Sequence, residues 1–330
     1  MSEVQRGPVS RTMVIVAFAI VYLVWGSTYF FIKIAIQDIP PMIMAAMRFF
    51  SAGLLLFLWC ALNGEKLFNK KNISRALISG FLLLVIGNGA VVLSEKYLPS
   101  SLAAVIASTS PFWVVILDKR NHKVNLSSRK TVAGLITGFI GVVFLFSENA
   151  IKALSNPGNG WEIISLGILV IGAVAWGGGS LYSKYNSTGD SQAVNASWQM
   201  LSAGIMFIPI SMSSSEWKDF HWSSVSTNSW LALTYLITFG SLIGFSAYTW
   251  LLKVRPAVQV STHGYVNPVV AVLLGTLLGH EHMTGLQLTG LVVILTSVLL
   301  LNLEKYRSQQ RRVAQPGQRV IKRKVLSRVL

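Results

Sequence analysis

"VWGSTYFFIK" at residues 24–33 is echoed by "AWGGGSLYSK" at 175–184, pairing Trp25 with Trp176, Gly26 with Gly177 and Lys33 with Lys184, each 151 residues apart. The echo continues along the chain. "SAG" at 51–53 returns at 202–204, and then Gly87 matches Gly244, Pro99 matches Pro256 and Pro111 matches Pro268, all at a spacing of 157. The six-residue change of spacing fits an insertion in the loop "SMSSSEWKDFHWSS". Self-similarity at so long a period is the mark of a duplicated architecture.

The duplicated unit is hydrophobic. The 330 residues are 52% hydrophobic and only 12% charged, about half the charged share of an ordinary soluble domain. A hydrocarbon core of roughly 30 Å needs about 20 apolar residues of helix. Ten such stretches read out at about 13–36, 40–62, 74–95, 99–117, 130–147, 162–184, 192–212, 228–252, 256–279 and 284–303. The first runs past Trp25 to Lys33 without a small-residue cleavage site, so it reads as a spanning helix rather than a secretory signal. Cys60 is the single cysteine, which excludes an intrachain disulfide or cysteine metal site.

The net charge of +16 would suit a nucleic-acid partner only if the charges shared one face. Instead 23 of the 28 basic residues fall in segments on one side when the ten helices are alternated from an inside N-terminus. That asymmetry places both termini in the cytoplasm and excludes the nucleic-acid reading. The basic tail "KRKVLSRVL" either presses on anionic headgroups or is a solvated end.

Five helices per copy is an odd number, so the second copy must enter the bilayer from the opposite side. The expected fold is therefore an all-α membrane protein of ten transmembrane helices in two inverted five-helix repeats. Residues 1–12 form a cytoplasmic N-terminus, 13–150 the first repeat, 151–303 the second and 304–330 a basic cytoplasmic tail. Inverted repeats of this kind serve secondary transporters, whose solute sits near the midplane between the copies.

"WGSTYFFIK", "MRFFSAG", "GNG", "LPSSLAAVIASTSPFWVVIL" and "YVNPVVAVLLGT" together resemble the EamA branch of the drug/metabolite transporter superfamily, over roughly residues 14–303. The resemblance implies a carrier of the bacterial inner membrane, commonly an exporter of amino acids or related metabolites. It also implies a cavity lined by helices 1, 3, 4, 6, 8 and 9, with helices 5 and 10 outside it. The segment "DKRNHKVNLSSRK" lacks the Glu often found after helix 4, whereas Glu281 stands at the matching place after helix 9.

Pro111 and Pro268 should kink or interrupt helices 4 and 9, because proline removes a backbone donor and clashes with the preceding turn. Freed carbonyls at membrane depth must face protein or a cavity, so both breaks are expected beside the path, with Ser110 and Asn267 at hand. His263, one turn earlier, is the one histidine well inside a helix and the one nameable proton carrier. Trp25, Ser27, Tyr29 and Trp176 stand beside Gly26, Gly177 and Gly178, aromatic walls next to residues that let helices approach. Asn88 and Tyr248 are the polar groups at equivalent places on helices 3 and 8. Arg48 needs carbonyls, an acid or a solute carboxylate as partner, or acts as a brace between helices 1 and 2. Lys33 and Lys184 are expected to snorkel to headgroups.

No cofactor is expected, and "HEH" at 280–282 is not expected to hold a metal, since consecutive residues point in different directions. The Gly134/Gly138 and Gly275/Gly279 spacings fit either a dimer face or internal packing, which leaves oligomeric state open and a monomer plausible. Without a Walker loop or a polar constellation at one face, neither an ATP-driven pump nor a membrane enzyme is expected. A passive channel is the remaining alternative to a carrier, and uniport, exchange and proton antiport stay open.

Overall fold

A computed structural model describes residues 10–98, 100–155, 160–186, 191–218, 220–279 and 284–314, all of it helix and connecting turn, with no strand among the described residues. Among the described residues six helices are long and apolar enough to cross a membrane: α1 (Arg11–Ala35), α2 (Pro41–Leu62), α3 (Lys70–Ser94), α8 (Gly160–Asn186), α9 (Gln192–Ser213) and α10 (Thr227–Val254). Between α3 and α8 run the shorter α4 (Ser100–Ala107), α5 (Ser110–Leu117) and α6 (His122–Ser127), then α7 (Arg129–Ser155). The chain ends with α11 (Ala257–Val260), α12 (His263–Gly279) and α13 (Gly285–Ala314).

Local chemistry sets the boundaries. Pro41 opens α2 at a position where its missing N–H costs nothing, and Gly64 turns the chain after it at φ +70°. Asn69 caps α3 by accepting from the Lys71 and Asn72 amides, and Ser226 caps α10 through the Ser229 amide. The outward faces are apolar, with Leu55, Ile163, Ile171, Ile205 and Leu299 each half or more exposed. Water would not tolerate that surface; lipid does.

The two stretches read as single helices at 99–117 and 256–279 are each broken. α4 stops at Ala107 and α5 restarts with Pro111 in its first turn, so this proline opens a new helix rather than bending an old one. In the second copy the break falls earlier, at Ser261–Thr262, and Pro268 lies inside α12. The carbonyl that Pro268 cannot engage is that of Gly264, four residues back. Ser108, at the break between α4 and α5, donates its hydroxyl to that carbonyl at 2.8 Å. The breaks thus meet: a methyl group on Gly264 would stand 2.9 Å from Ser110 Oγ and 3.4 Å from Pro111 Cδ.

α2 and α9 cross through the two "SAG" motifs. A methyl on Gly53 would lie 2.5 Å from the Leu201 amide nitrogen, and one on Gly204 would lie 2.4 Å from that of Phe50. Adding 151 to 50 and 53 gives 201 and 204, so one contact is made twice with the copies exchanged. α7 packs along α13, where Gly134 faces Leu301 and Gly138 faces Ser297 and Tyr265. That glycine pair is spent on an internal contact, while the surroundings of Gly275 and Gly279, the "HEH" segment and the tail beyond Ala314 lie outside what is described.

Candidate functional site

Three further pairs of contacts repeat under the same shifts, and together they enclose a cavity. Gly26 packs on Val270 and Asn267, while Gly177 packs on Trp113 and Val114. Gly87 receives the ring of Trp176, and Gly244 that of Trp25. Gly179 sits on Leu82 and Leu83, and Gly240 on Thr28. At each point a side chain in place of hydrogen would push the helices apart, so glycine sets the approach.

Gly87 and Gly244 also lie in two segments wound as π-helix, Phe81–Asn88 within α3 and Leu236–Phe245 within α10. A π-turn inserts extra backbone into a helix and is frequent at functional sites. Here it turns Asn88, Gly240, Ser241 and Phe245 onto the cavity wall.

The cavity offers about 100 Å³ to the centres of water-sized molecules, room for several waters or a small metabolite, since one water needs on the order of 10–15 Å³ by that measure. Its lining comes from α1, α2, α3, α8, α10 and α12 and from both sides of the break between α4 and α5. Arg48 and Phe49 bring α2 into the wall, which the resemblance had left out. α7 and α13 contribute nothing to it.

One end is stopped by four aromatic rings from four helices. Trp25 lies 5.5 Å from Trp176, 4.9 Å from Tyr248 and 5.1 Å from His263, and Tyr248 lies 5.3 Å from His263. Trp25 Nε1 donates to the Gly240 carbonyl at 2.9 Å, and the Tyr248 hydroxyl pairs with Ser180 Oγ at 2.6 Å. From this plug the lining runs through Tyr29 and Ile32 on α1 and Val91 on α3, toward the ends of those helices.

Five lining side chains keep a buried polar atom without a hydrogen bond: Arg48 Nη1, Asn88 Oδ1, Trp176 Nε1, His263 Nε2 and Asn267 Oδ1. Such atoms are costly unless something pairs with them. His263 Nδ1 lies 3.4 Å from Asn267 Nδ2, which fixes the ring and leaves Nε2 free.

Of the residues singled out in the sequence, Trp25, Tyr29, Asn88, Trp176, His263, Asn267 and Arg48 all line this one cavity. Ser27 does not: its hydroxyl binds the Val24 carbonyl and Tyr235. Tyr248 does not line the cavity; it is fully buried against Trp25, Trp176 and His263. Gly177 serves helix packing, and Gly178 meets only Leu117, at 3.7 Å. Pro111 and Pro268 flank the crossing of the two broken helices. Lys184 does not snorkel; its ammonium donates to the Leu252 and Arg255 carbonyls and caps the end of α10.

Sequence reasoning found no buried carboxylate, and among the described residues there are two. Asp118, 2% exposed, accepts the Tyr185 hydroxyl at 2.7 Å. Glu95 follows the last residue of α3 with both oxygens buried and no hydrogen bond, close enough to Lys33 and Tyr29 to interact with their charges. The i, i+4 spacing of Val91 to Glu95 and Tyr29 to Lys33 was the available signal. No group of three or more His, Cys, Asp or Glu side chains that could hold a metal occurs among the described residues.

A bundle of lipid-facing helices around a mainly apolar cavity with a few buried polar groups fits a membrane-embedded protein. The chain belongs to the EamA-like transporter family, whose model matches it twice, over residues 12–147 and 163–303. It is 36% identical over 298 residues to the "Uncharacterized inner membrane transporter YedA" of Escherichia coli strain K12, covering 89% of this chain and 92% of that protein. It is 25% identical to the "Probable amino-acid metabolite efflux pump" of the same strain, covering 85% of this chain and 92% of that one. A crystal structure at 17% identity superposes with a TM-score of 0.71 over 90% of this chain and 99% of its own, a likeness of fold. Like these relatives, the chain is a multi-pass membrane protein.

Proposed function

We propose that the chain is a secondary carrier that moves small metabolites, amino acids or related compounds, across the bacterial inner membrane by alternating access. It is read as ten crossings in two inverted five-helix repeats with both termini in the cytoplasm, where its basic residues cluster. The observation that carries the reading is the cavity where the two copies cross, lined by buried polar atoms that have no protein partner. Contacts that recur with the copies exchanged support the inverted symmetry.

That symmetry supplies the mechanism. The cavity extends from mid-chain depth toward the ends of α1 and α3, and the aromatic plug closes the other side. When inverted copies exchange roles, the arrangement reopens on the opposite face around the same residues. Export is the direction favoured, from the efflux pump among the relatives.

Saturable counterflow of labelled amino acids in liposomes tests the carrier. Flux that rises linearly with concentration and is not stimulated from the other side would make the protein a channel. His263→Gln with the pH profile of uptake then tests proton coupling through that ring; an unchanged profile retires it.

A further inference from the structure

We infer that Arg48 is the residue that recognises the solute, by pairing with a carboxylate on it. The inference rests on the carrier reading and narrows it to one chemical requirement.

Arg48 stands in the first half of α2, is 4% exposed and lines the cavity. Its guanidinium stays charged in any protein setting. A buried cation needs a counter-charge, yet no Asp or Glu lines the cavity. Glu95, the buried acid beyond it, interacts with Lys33 instead. The other ionisable groups on the wall are Tyr29 and His263, neither of them an acid at neutral pH.

The guanidinium is also held for use. Nε donates to Ser241 Oγ at 2.8 Å, and the guanidinium carbon lies 4.9 Å from the Phe49 ring centre. Gly240 leaves room for Nη2, which a methyl there would approach to 3.1 Å. With Nε anchored and the ring beneath, Nη1 remains buried and unbonded. A structural brace would satisfy its donors on protein. A guanidinium anchored at Nε with Nη1 unbonded keeps a charged donor for a carboxylate.

The rest of the wall fits the same solute. Asn88 Oδ1 and Asn267 Oδ1 are unbonded acceptors, complementary to an amino or hydroxyl donor. Trp25 and Trp176, packed edge to face, give apolar walls for a side chain. One fixed positive charge suits a small 2-amino or 2-hydroxy monocarboxylate, and the matching place in the second copy, Gln199, faces Ser183 and adds no charge.

The test is thermal unfolding of the full-length protein in detergent, at constant ionic strength, with pairs of probes that differ in charge alone: L-leucine against L-leucinamide, and 2-hydroxyisocaproate against its amide. Each acid is expected to bind at least ten-fold more tightly than its amide, with Arg48→Gln erasing the difference and Arg48→Lys keeping part of it. Equal affinity for acid and amide, no stabilisation by either acid, or wild-type preference in Arg48→Gln would each overturn the inference. Should Arg48→Gln fail to fold, the wild-type comparison still decides, and Ser241→Ala is expected to weaken the preference. Counterflow of labelled leucine without acid preference sinks the role of Arg48 alone. Acid-selective binding without counterflow sinks the carrier and leaves Arg48 standing.

Discussion

Trp25 and Trp176 occupy matching places in the two copies, and each ring packs on the glycine of the other's π segment. Their polar atoms differ: Trp25 Nε1 is bound to the Gly240 carbonyl, whereas Trp176 Nε1 has no well-formed hydrogen bond and only a looser contact with Tyr248. The same division runs through the molecule. Glycines that let helices touch are kept in both copies, at 26 and 177, 53 and 204, 87 and 244. Polar residues on the cavity are not, so Arg48 faces Gln199 across the symmetry, Asn88 faces Phe245 and His263 faces Ile106. A crossing built twice needs its packing residues twice. A shared cavity needs each polar group once, and single copies can diverge.

The largest effects should come from the shared part. In Gly53→Val and Gly204→Val the added atoms collide with backbone at 2.5 and 2.4 Å, which no rotamer change relieves. Overpacking costs about 1–3 kcal/mol even where side chains can move. Both variants are expected to lose the monodisperse peak in size-exclusion chromatography of the detergent-solubilised protein. A well-behaved protein from either one would break the equivalence of the two copies.

The tryptophans sharpen the comparison at a smaller scale. Trp25→Phe removes the hydrogen bond to the buried Gly240 carbonyl and should lower stability by about 1 kcal/mol more than Trp176→Phe, which loses only a looser contact with Tyr248. Thermal unfolding of the two variants side by side gives that difference. Equal losses would mean that the broken symmetry at Nε1 has no energetic content.

The duplication and the two prolines were legible because packing glycines and helix breaks leave fixed residue types at fixed spacing. The cavity residues were legible through their cost in lipid: Arg48, His263 and Asn267 stand out within apolar runs. Ser27 was misplaced because on a helix three small steps decide which way a hydroxyl points, and Tyr235, 208 residues away, captured it. The π segments carry no compositional mark, since one extra residue per turn depends on what packs against the helix. Glu95 was passed over because a carboxylate at the end of an apolar run reads as an interface residue. Only tertiary packing, which the sequence does not display, takes both oxygens out of solvent.

The smallest effect concerns two carboxylates that tie the copies together on one face. Asp38, after α1, accepts from the Ser226 amide at 3.0 Å and from the Ser226 and Ser229 hydroxyls, at the start of α10. Glu216, after α9, accepts from the Met42 and Ile43 amides at 3.0 Å each, at the start of α2. The hydrogen bonds from Ser226 and Ser229 hold Asp38 below its ordinary 3.8, whereas burial lifts Glu216 above 4.5 against the pull of its two amides. The folded protein therefore takes up a proton at Glu216 before the unfolded chain does, and stability gains as pH falls toward 4.5. At Asp38 the unfolded chain takes up the proton first, so the contribution present above 3.8 is lost as pH falls through the folded value. Unfolding midpoints measured from pH 6 to pH 3 should show Glu216→Gln flattening the upper part of the profile and Asp38→Asn the lower part. Because Asp38 is only partly buried, its share should shrink with added salt. If both substitutions instead moved the same limb of the profile, the two ties would be one coupled contact rather than a pair made once by each copy.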